Sequence, residues 1–416
     1  MKHKLALILK FLTLTILFVT RVNAQVNTSR NNLWTIQSID TMKSSRDLAS
    51  EKLNDKNYHQ KIEEYVKVIA DTGATHVALG TPYEQKFIPY MKVWVDAARK
   101  NNLKIWWRGN LAGWEGWFGY EKINRTQHIE GIESFLTKNI NLFEDGDIFS
   151  SCPECENGGD GPRAVFSDVE NYQKFLVEEY HKVKSIFAKN NKKVAANYYS
   201  MNLDVAKAVM DIETTKNLDG LVVVDHYVKD PDQLANDLVS ISAKSGGKVF
   251  LGEFGAPIPD IHGEMSPDEQ AIWLEEVLYR LAYVEQLVGV NYWTFTHGTT
   301  ALYDEDRDKK KPALDVLETF FAAKNQKIKV VNEIGFGVNN AKVLLLGKEY
   351  FTQNFGEVML PLLPHRIVEM KVEANNYYQL NSKLDETKTK ITLKTKKTQW
   401  WHRTISTIMR MLGMHQ

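Results

Sequence analysis

Residues Lys248–Pro257 read KVFLGEFGAP. Val249, Phe250 and Leu251 are a short run of strand formers, and Gly252-Glu253-Phe254-Gly255 follows at once. The run predicts a buried strand delivering one carboxylate, Glu253, to its C-terminal end. A carboxylate there is costly unless it is paired, hydrogen-bonded or used. The flanking glycines let the backbone bend and a ligand approach. Alone, the stretch fits a salt-bridged strand end as well as a functional group, so its neighbours must decide.

Outward from this strand the chain alternates. Strands are predicted at Leu33–Asp40, Thr75–Leu79, Leu103–Trp107, Asp147–Ser151, Lys193–Tyr198, Leu218–Asp225, Lys248–Leu251 and Val288–Thr294. Amphipathic segments separate them; in the first, Ile62, Tyr65, Val66 and Ile69 share one helical face. Asp168 and the Ser266-Pro267 pair read as helix starts, and a last helix spans Pro312–Ala323. Repeated βα units demand a parallel sheet, and eight of them predict a closed (β/α)8 TIM barrel over residues 25–325. No GxGxxG follows the first strand, which excludes the dinucleotide-binding pattern.

Beyond residue 325 the helical period gives way to the short strand patterns KIKVV, AKVLLL, EVMLPLL, IVEMKVE and KITLK, punctuated by glycine. They predict a small β-sandwich over 326–397. The final segment, 398–416, places Trp401, Ile405, Ile408 and Leu412 on one helical face. It reads either as a helix docked on the sandwich or as an interfacial one touching a membrane or cell surface. At the other end, Lys2, His3 and Lys4 precede LALILKFLTLTILFV, and Val22-Asn23-Ala24 supplies small residues before Gln25. Residues 1–24 therefore read as a signal peptide, and the protein is expected to be secreted or held at the cell surface. Lys and Arg total 52 against 52 Asp and Glu, a balance that gives no footing for nucleic acid. Cys152 and Cys155 are the chain's two cysteines. Their spacing leaves a local disulfide and two buried thiols both open, and no ligand cluster for a metal accompanies them.

Barrel sites lie beyond the C-terminal ends of the strands. In strand order these ends supply Asp40; Thr81 and Tyr83; Arg108 and Asn110, followed by Trp114 and Trp117; Cys152-Pro153-Glu154-Cys155-Glu156-Asn157; Asn197, Tyr198 and Tyr199; Asp225, His226 and Tyr227; Glu253; and Trp293 with His297. Polar and aromatic groups at nearly every strand suit a sugar, whose C–H faces pack on rings and whose hydroxyl edges need hydrogen-bond partners. Trp106 reads as packing between loop and barrel wall. Asp225 reads as a carboxylate orienting His226, with no metal and no cofactor expected. Strands four and seven stand nearly opposite, so Glu154 and Glu253 converge over the mouth. Two carboxyls roughly 5–5.5 Å apart suit glycoside hydrolysis with retention.

This layout resembles the clan of retaining glycoside hydrolases with (β/α)8 barrels that includes cellulases and β-mannanases. The resemblance spans Leu33–Phe321 and rests on the architecture and its strand ends. It implies that Glu253 in GEFG is the nucleophile, that Trp293 in NYWTF floors the sugar-cleaving subsite, and that Tyr227 hydrogen-bonds the nucleophile. It implies an acid/base at Glu154, with Glu156 as the alternative, because the clan's Asn-Glu is Pro153-Glu154 here. His226, Tyr198, Arg108, Asn110, Trp114, Trp117, Tyr83 and Asp40 complete the expected substrate-binding rim. The expected activity is cleavage of a β-linked polysaccharide or oligosaccharide, acting endo; the alternative is a non-catalytic carbohydrate-binding surface protein on the same scaffold. The pattern GKEYFTQNFGEVMLPLL in turn resembles small carboxypeptidase-regulatory-like β-modules.

Overall fold

The computed structural model describes residues 31–396; the segments read as signal peptide and amphipathic tail lie outside them. Eight parallel strands form one sheet: β1 (Ile36–Asp40), β2 (His76–Leu79), β3 (Lys104–Trp107), β4 (Ile148–Phe149), β5 (Ser200–Asn202), β6 (Leu221–Asp225), β7 (Lys248–Phe254) and β8 (Leu287–Tyr292). Their order is β4-β3-β2-β1-β8-β7-β6-β5, so β1 pairs with β8 as a ring requires. A single parallel bridge, Ile148 to Ala195, joins the two ends. This is a TIM barrel with helices on its outside.

The fifth strand departs from the prediction over Lys193–Tyr198. There the Ala195 carbonyl accepts from the Phe149 amide (2.7 Å) and the Ala195 amide donates to Asp147 (3.0 Å). The Tyr198 carbonyl accepts from the Ser150 hydroxyl rather than from a ladder amide, and pairing resumes with β6 only at Ser200. The segment thus changes partner midway, from β4 to β6, and cannot form one regular strand. The segment between this strand and β6 is likewise divided, into two helices, Leu203–Val209 and Ile212–Asn217.

Strand alternation sorts side chains into two layers. Ile36, Ala78, Trp106, Ile148, Tyr198, Leu221, Val223 and Phe250 fill the barrel interior as one cluster. Trp107 and its counterparts face the helices. Trp106 is therefore interior core, its ring 4.9 Å from that of Phe250, and does not pack between a loop and the wall. Helix starts follow local chemistry: Asp168 caps Val169–Lys189, and Ser266 with Glu269 forms a capping box for Pro267–Ala282.

After a small hairpin, β9 (Tyr303–Asp304) with β10 (Lys309–Lys310), and the helix Pro312–Phe321, the chain builds a β-domain of two sheets. One has order β14-β11-β17, from Glu357–Pro361, Asn325–Asn332 and Lys390–Leu393. The other is β13-β12-β15-β16, from Lys348–Phe351, Lys342–Leu345, Val368–Glu373 and Leu380–Leu384. β13 and β16 escape the sequence patterns because most of their residues stay partly or fully exposed and polar. The domain meets the barrel away from the strand ends that carry the site. Tyr279 donates to the Pro364 carbonyl (2.8 Å), and Arg366 lies 3.6 Å over the Tyr279 ring and 2.9 Å from Glu276. No helix among the described residues is long and apolar enough to cross a membrane.

Candidate active site

Arg108, the first residue beyond β3, is the hub of the barrel mouth. It is fully buried, and an unpaired guanidinium could not persist there. One terminal nitrogen reaches Asp40 at 2.7 Å and Glu253 at 2.8 Å. The other reaches Asp225 at 3.2 Å and the Ser200 hydroxyl at 3.0 Å. Four strand ends, β1, β5, β6 and β7, are thus tied to β3 through one side chain. Asn291 on β8 adds a hydrogen bond to Asp40 (3.0 Å) and another to the Gly252 carbonyl (2.9 Å).

Glu253 has a second donor, the Tyr227 hydroxyl at 2.7 Å. Carboxylate oxygens of Glu253, Glu154 and Asp225 lie within 4.8 Å of one another. Burial raises Glu253 to about 7, with Glu154 and Asp40 adding to the rise and Arg108 and Tyr227 opposing it. Burial, then the neighbouring Glu156, raises Glu154 above the ordinary carboxylate range. Asp225 is pushed well up by burial and by Glu253. Carboxyls this close cannot all be ionised, so protons are retained among them. Glu253 has a guanidinium and a phenol donating to it, which favours its anion. Glu154 makes its hydrogen bonds through the backbone, its amide donating to the Ser200 carbonyl (2.8 Å), and is the better proton holder. By donor type the three carboxylates could hold a hard cation, but Arg108 already fills that place for two of them, so they fit one poorly.

Glu156 is turned away from the mouth. Its Oε1 accepts from the Asn202 amide (2.8 Å) and side chain (3.2 Å), and burial raises it to about 7. Cys152 and Cys155 are joined in a disulfide, so the alternative of two thiols falls.

Of the expected rim, Asp40, Arg108, Tyr227, Glu253, Glu154 and the half-exposed Trp293 converge; Lys43 sits 5.9 Å from the Trp293 ring centroid. Trp117 is also half-exposed, with the Arg46 guanidinium 4.9 Å from its ring. Several others are placed elsewhere, because aromatic and amide groups after a strand can turn under the loops as readily as over the mouth. Tyr83 stacks on Phe135 and Phe149 and donates to the Ser150 carbonyl. Tyr198 is interior core against Trp106. Trp114 stacks on Phe175 and donates to the Cys155 carbonyl. Asn110 is buried against His128 (2.6 Å), itself held by Glu179. His226 turns to Asp237 at 2.9 Å, so Asp225 does not orient it; Asp225 serves Arg108 instead. Asn291 was missed, although an amide inside the apolar run LVGVNY was a readable signal.

No family model matches the chain, and no curated protein matches it. Solved structures do. A variant of GH5_18 from Bifidobacterium longum subsp. longum, in complex with Manβ1-4GlcNAc, shares 14% identity over 73% of this chain and 84% of its own, with a TM-score of 0.50. A trimodular GH5_4 subfamily endoglucanase gives 12%, 84%, 77% and 0.48. An FMN-binding β-glucuronidase from Facaelibacterium prausnitzii gives 11%, 88%, 57% and 0.49. The chain spans little more than half of that β-glucuronidase. At such identity the likeness is one of fold, a (β/α)8 barrel. No counterpart of the proposed carboxypeptidase-regulatory-like module emerges among these matches.

Proposed function

We propose that this protein is a glycoside hydrolase that cleaves a β-linked glycan with retention of anomeric configuration. The observation that carries the reading is the approach of Glu154 and Glu253, one carboxylate oxygen of each lying within 4.8 Å of the other. Inverting pairs stand roughly 6.5–9.5 Å apart to admit a water, whereas retaining pairs are close enough to flank one anomeric carbon. Glu253, oriented by Arg108 and Tyr227, attacks that carbon. Glu154 gives its proton to the departing oxygen, then takes one from the water that releases the glycosyl-enzyme. The exposed part of Trp293 offers a ring face to the sugar. The loops after β1 and β8 also line a groove of about 780 Å³ that includes Lys52, Tyr58, His297 and Glu305. Endo action is part of the proposal, supported by the partly exposed rings of Trp117 and Trp293. Export is part of the proposal, supported by the N-terminal leader pattern and by a disulfide, which persists in oxidising compartments.

The test is hydrolysis of a panel of β-glucans, mannans, xylans and galactans, with the anomer first formed read by proton NMR. Retention is expected, with turnover falling by several orders of magnitude in Glu253→Gln while the fold persists. Inversion, or a Glu253→Gln variant within about tenfold of the parent, would overturn it.

A further inference from the structure

The two carboxylates at the mouth are held in different ways. Glu253 lies within β7, whose backbone pairs with β6 and β8. Glu154 lies five residues past the last residue of β4, a strand of only two residues. The last sheet-like hydrogen bond before it runs from the Ser150 amide to the Trp107 carbonyl. Glu154 also has φ 43° and ψ 48°, the left-handed region, which side-chain-bearing residues seldom occupy. The disulfide closes across just Pro153 and Glu154, and its two cysteines are buried, at 0% and 2% exposed. Cys152 packs on Asn110, and the Cys155 carbonyl accepts from Trp114. Each end of the bridge is thus fixed in the core while Glu154, between its ends, faces the mouth.

We propose that the Cys152–Cys155 disulfide is the positioning device for Glu154, holding it in the left-handed conformation that directs its carboxyl at Glu253. The inference rests on the acid/base role given to Glu154 above. Without the bridge, Glu154 relaxes toward the right-handed region and its carboxyl leaves the leaving-group oxygen, while Glu253, Arg108 and Tyr227 stay in place. Because the sulfurs are buried, the bridge is a fixed clamp and does not act as a redox switch.

The test compares kcat/KM for phenyl and 2,4-dinitrophenyl glycosides of a sugar the parent hydrolyses, in Cys152→Ala/Cys155→Ala, in Glu154→Gln and in Pro153→Ala. Phenol needs a proton to depart and dinitrophenolate does not. The cysteine pair is expected to lose roughly tenfold or more on the phenyl glycoside, within the roughly 10²–10⁴ a general acid supplies, and to keep its rate on the dinitrophenyl one. Equal losses on both, or no loss on either, overturn the inference. If the alanine pair does not fold, Pro153→Ala decides. With the bridge intact both its rates should stay near the parent's, and a loss confined to the phenyl glycoside would move the positioning from the disulfide to the proline. Glu154→Gln separates the two levels. Without a leaving-group-dependent loss there, the acid/base assignment fails; with it there and not in the cysteine pair, only the clamp fails.

Discussion

At the residue scale, one guanidinium organises the mouth, and its single charge faces Asp40, Asp225 and Glu253. The shortfall of positive charge leaves protons among Glu253, Glu154 and Asp225, and these set the pH dependence. In the proposed mechanism Glu253 must be ionised and Glu154 protonated, so kcat/KM should be bell-shaped, with its acidic limb near the value of about 7 to which burial lifts Glu253. The two limbs belong to the coupled pair, and Glu154→Gln should remove the basic one; a profile flat from pH 5 to 9 would contradict this. Glu156, outside the mouth, makes a separate prediction for stability. Its folded value of about 7 stands above the ordinary 4.5, so the folded state binds a proton that the unfolded chain has already lost. Its stabilising contribution is complete below about 4.5 and disappears as pH rises through about 7. Glu156→Gln does not titrate, so its stability relative to the parent should grow across that window, by on the order of 3 kcal/mol. Denaturant melts at pH 4.5 and 8 would show it, and a difference independent of pH would count against it.

At the scale of the element, β7 explains why glycines surround Glu253. The pairing register shifts between Val224 and Asp225 where β6 meets β7, and between Leu251 and Phe254 of β7 where it meets β8. Such an irregularity re-aims a side chain out of simple alternation, here Glu253. A Cβ on Gly252 would stand 2.4 Å from Asp225 Oδ1, and one on Gly255 would stand 2.3 Å from the Trp293 carbonyl oxygen. Space, and not an unusual φ, requires glycine at both. Gly255→Ala should cost about 1–3 kcal/mol by overpacking and should raise KM more than it lowers kcat, because it displaces Trp293 and not the carboxylates. Thermal melts with steady-state kinetics check both, and an unchanged KM would argue against Trp293 as a sugar platform.

At the scale of the whole molecule, the barrel's outer layer and the β-domain share one apolar core. Ile328, Val343, Leu360 and Val372 belong to the same buried cluster as Leu278, Leu317 and Phe320. Arg366, Tyr279 and Glu276 add polar contacts at the junction. The two parts should therefore unfold together, as a single calorimetric transition. Two separated transitions would show that the β-domain is merely tethered.

The sequence by itself determined the barrel, the β-domain and the strand end of Glu253. Strand alternation, helix starts and a carboxylate placed directly on a strand are local properties, written in residues that adjoin one another. It also brought Arg108, Asp40, Tyr227, Glu154 and Trp293 to the correct ends. Tertiary structure alone decided which way each side chain turned. Tyr83, Trp114 and Asn110 follow strands just as Arg108 does, yet they are taken up by the helices and loops packed on them. His226 and Asp225 are adjacent in sequence but answer to different partners, Asp237 on the helix that follows and Arg108 beyond β3. Glu154 stood ahead of Glu156 only as the nearer of the two to the strand end; in the fold Asn202 hydrogen-bonds Glu156, while Glu154 sits between the bridged Cys152 and Cys155. Burial is the physical reason: a buried polar group goes where its partner is, and the partners here come from other elements, helices and loops as well as strands.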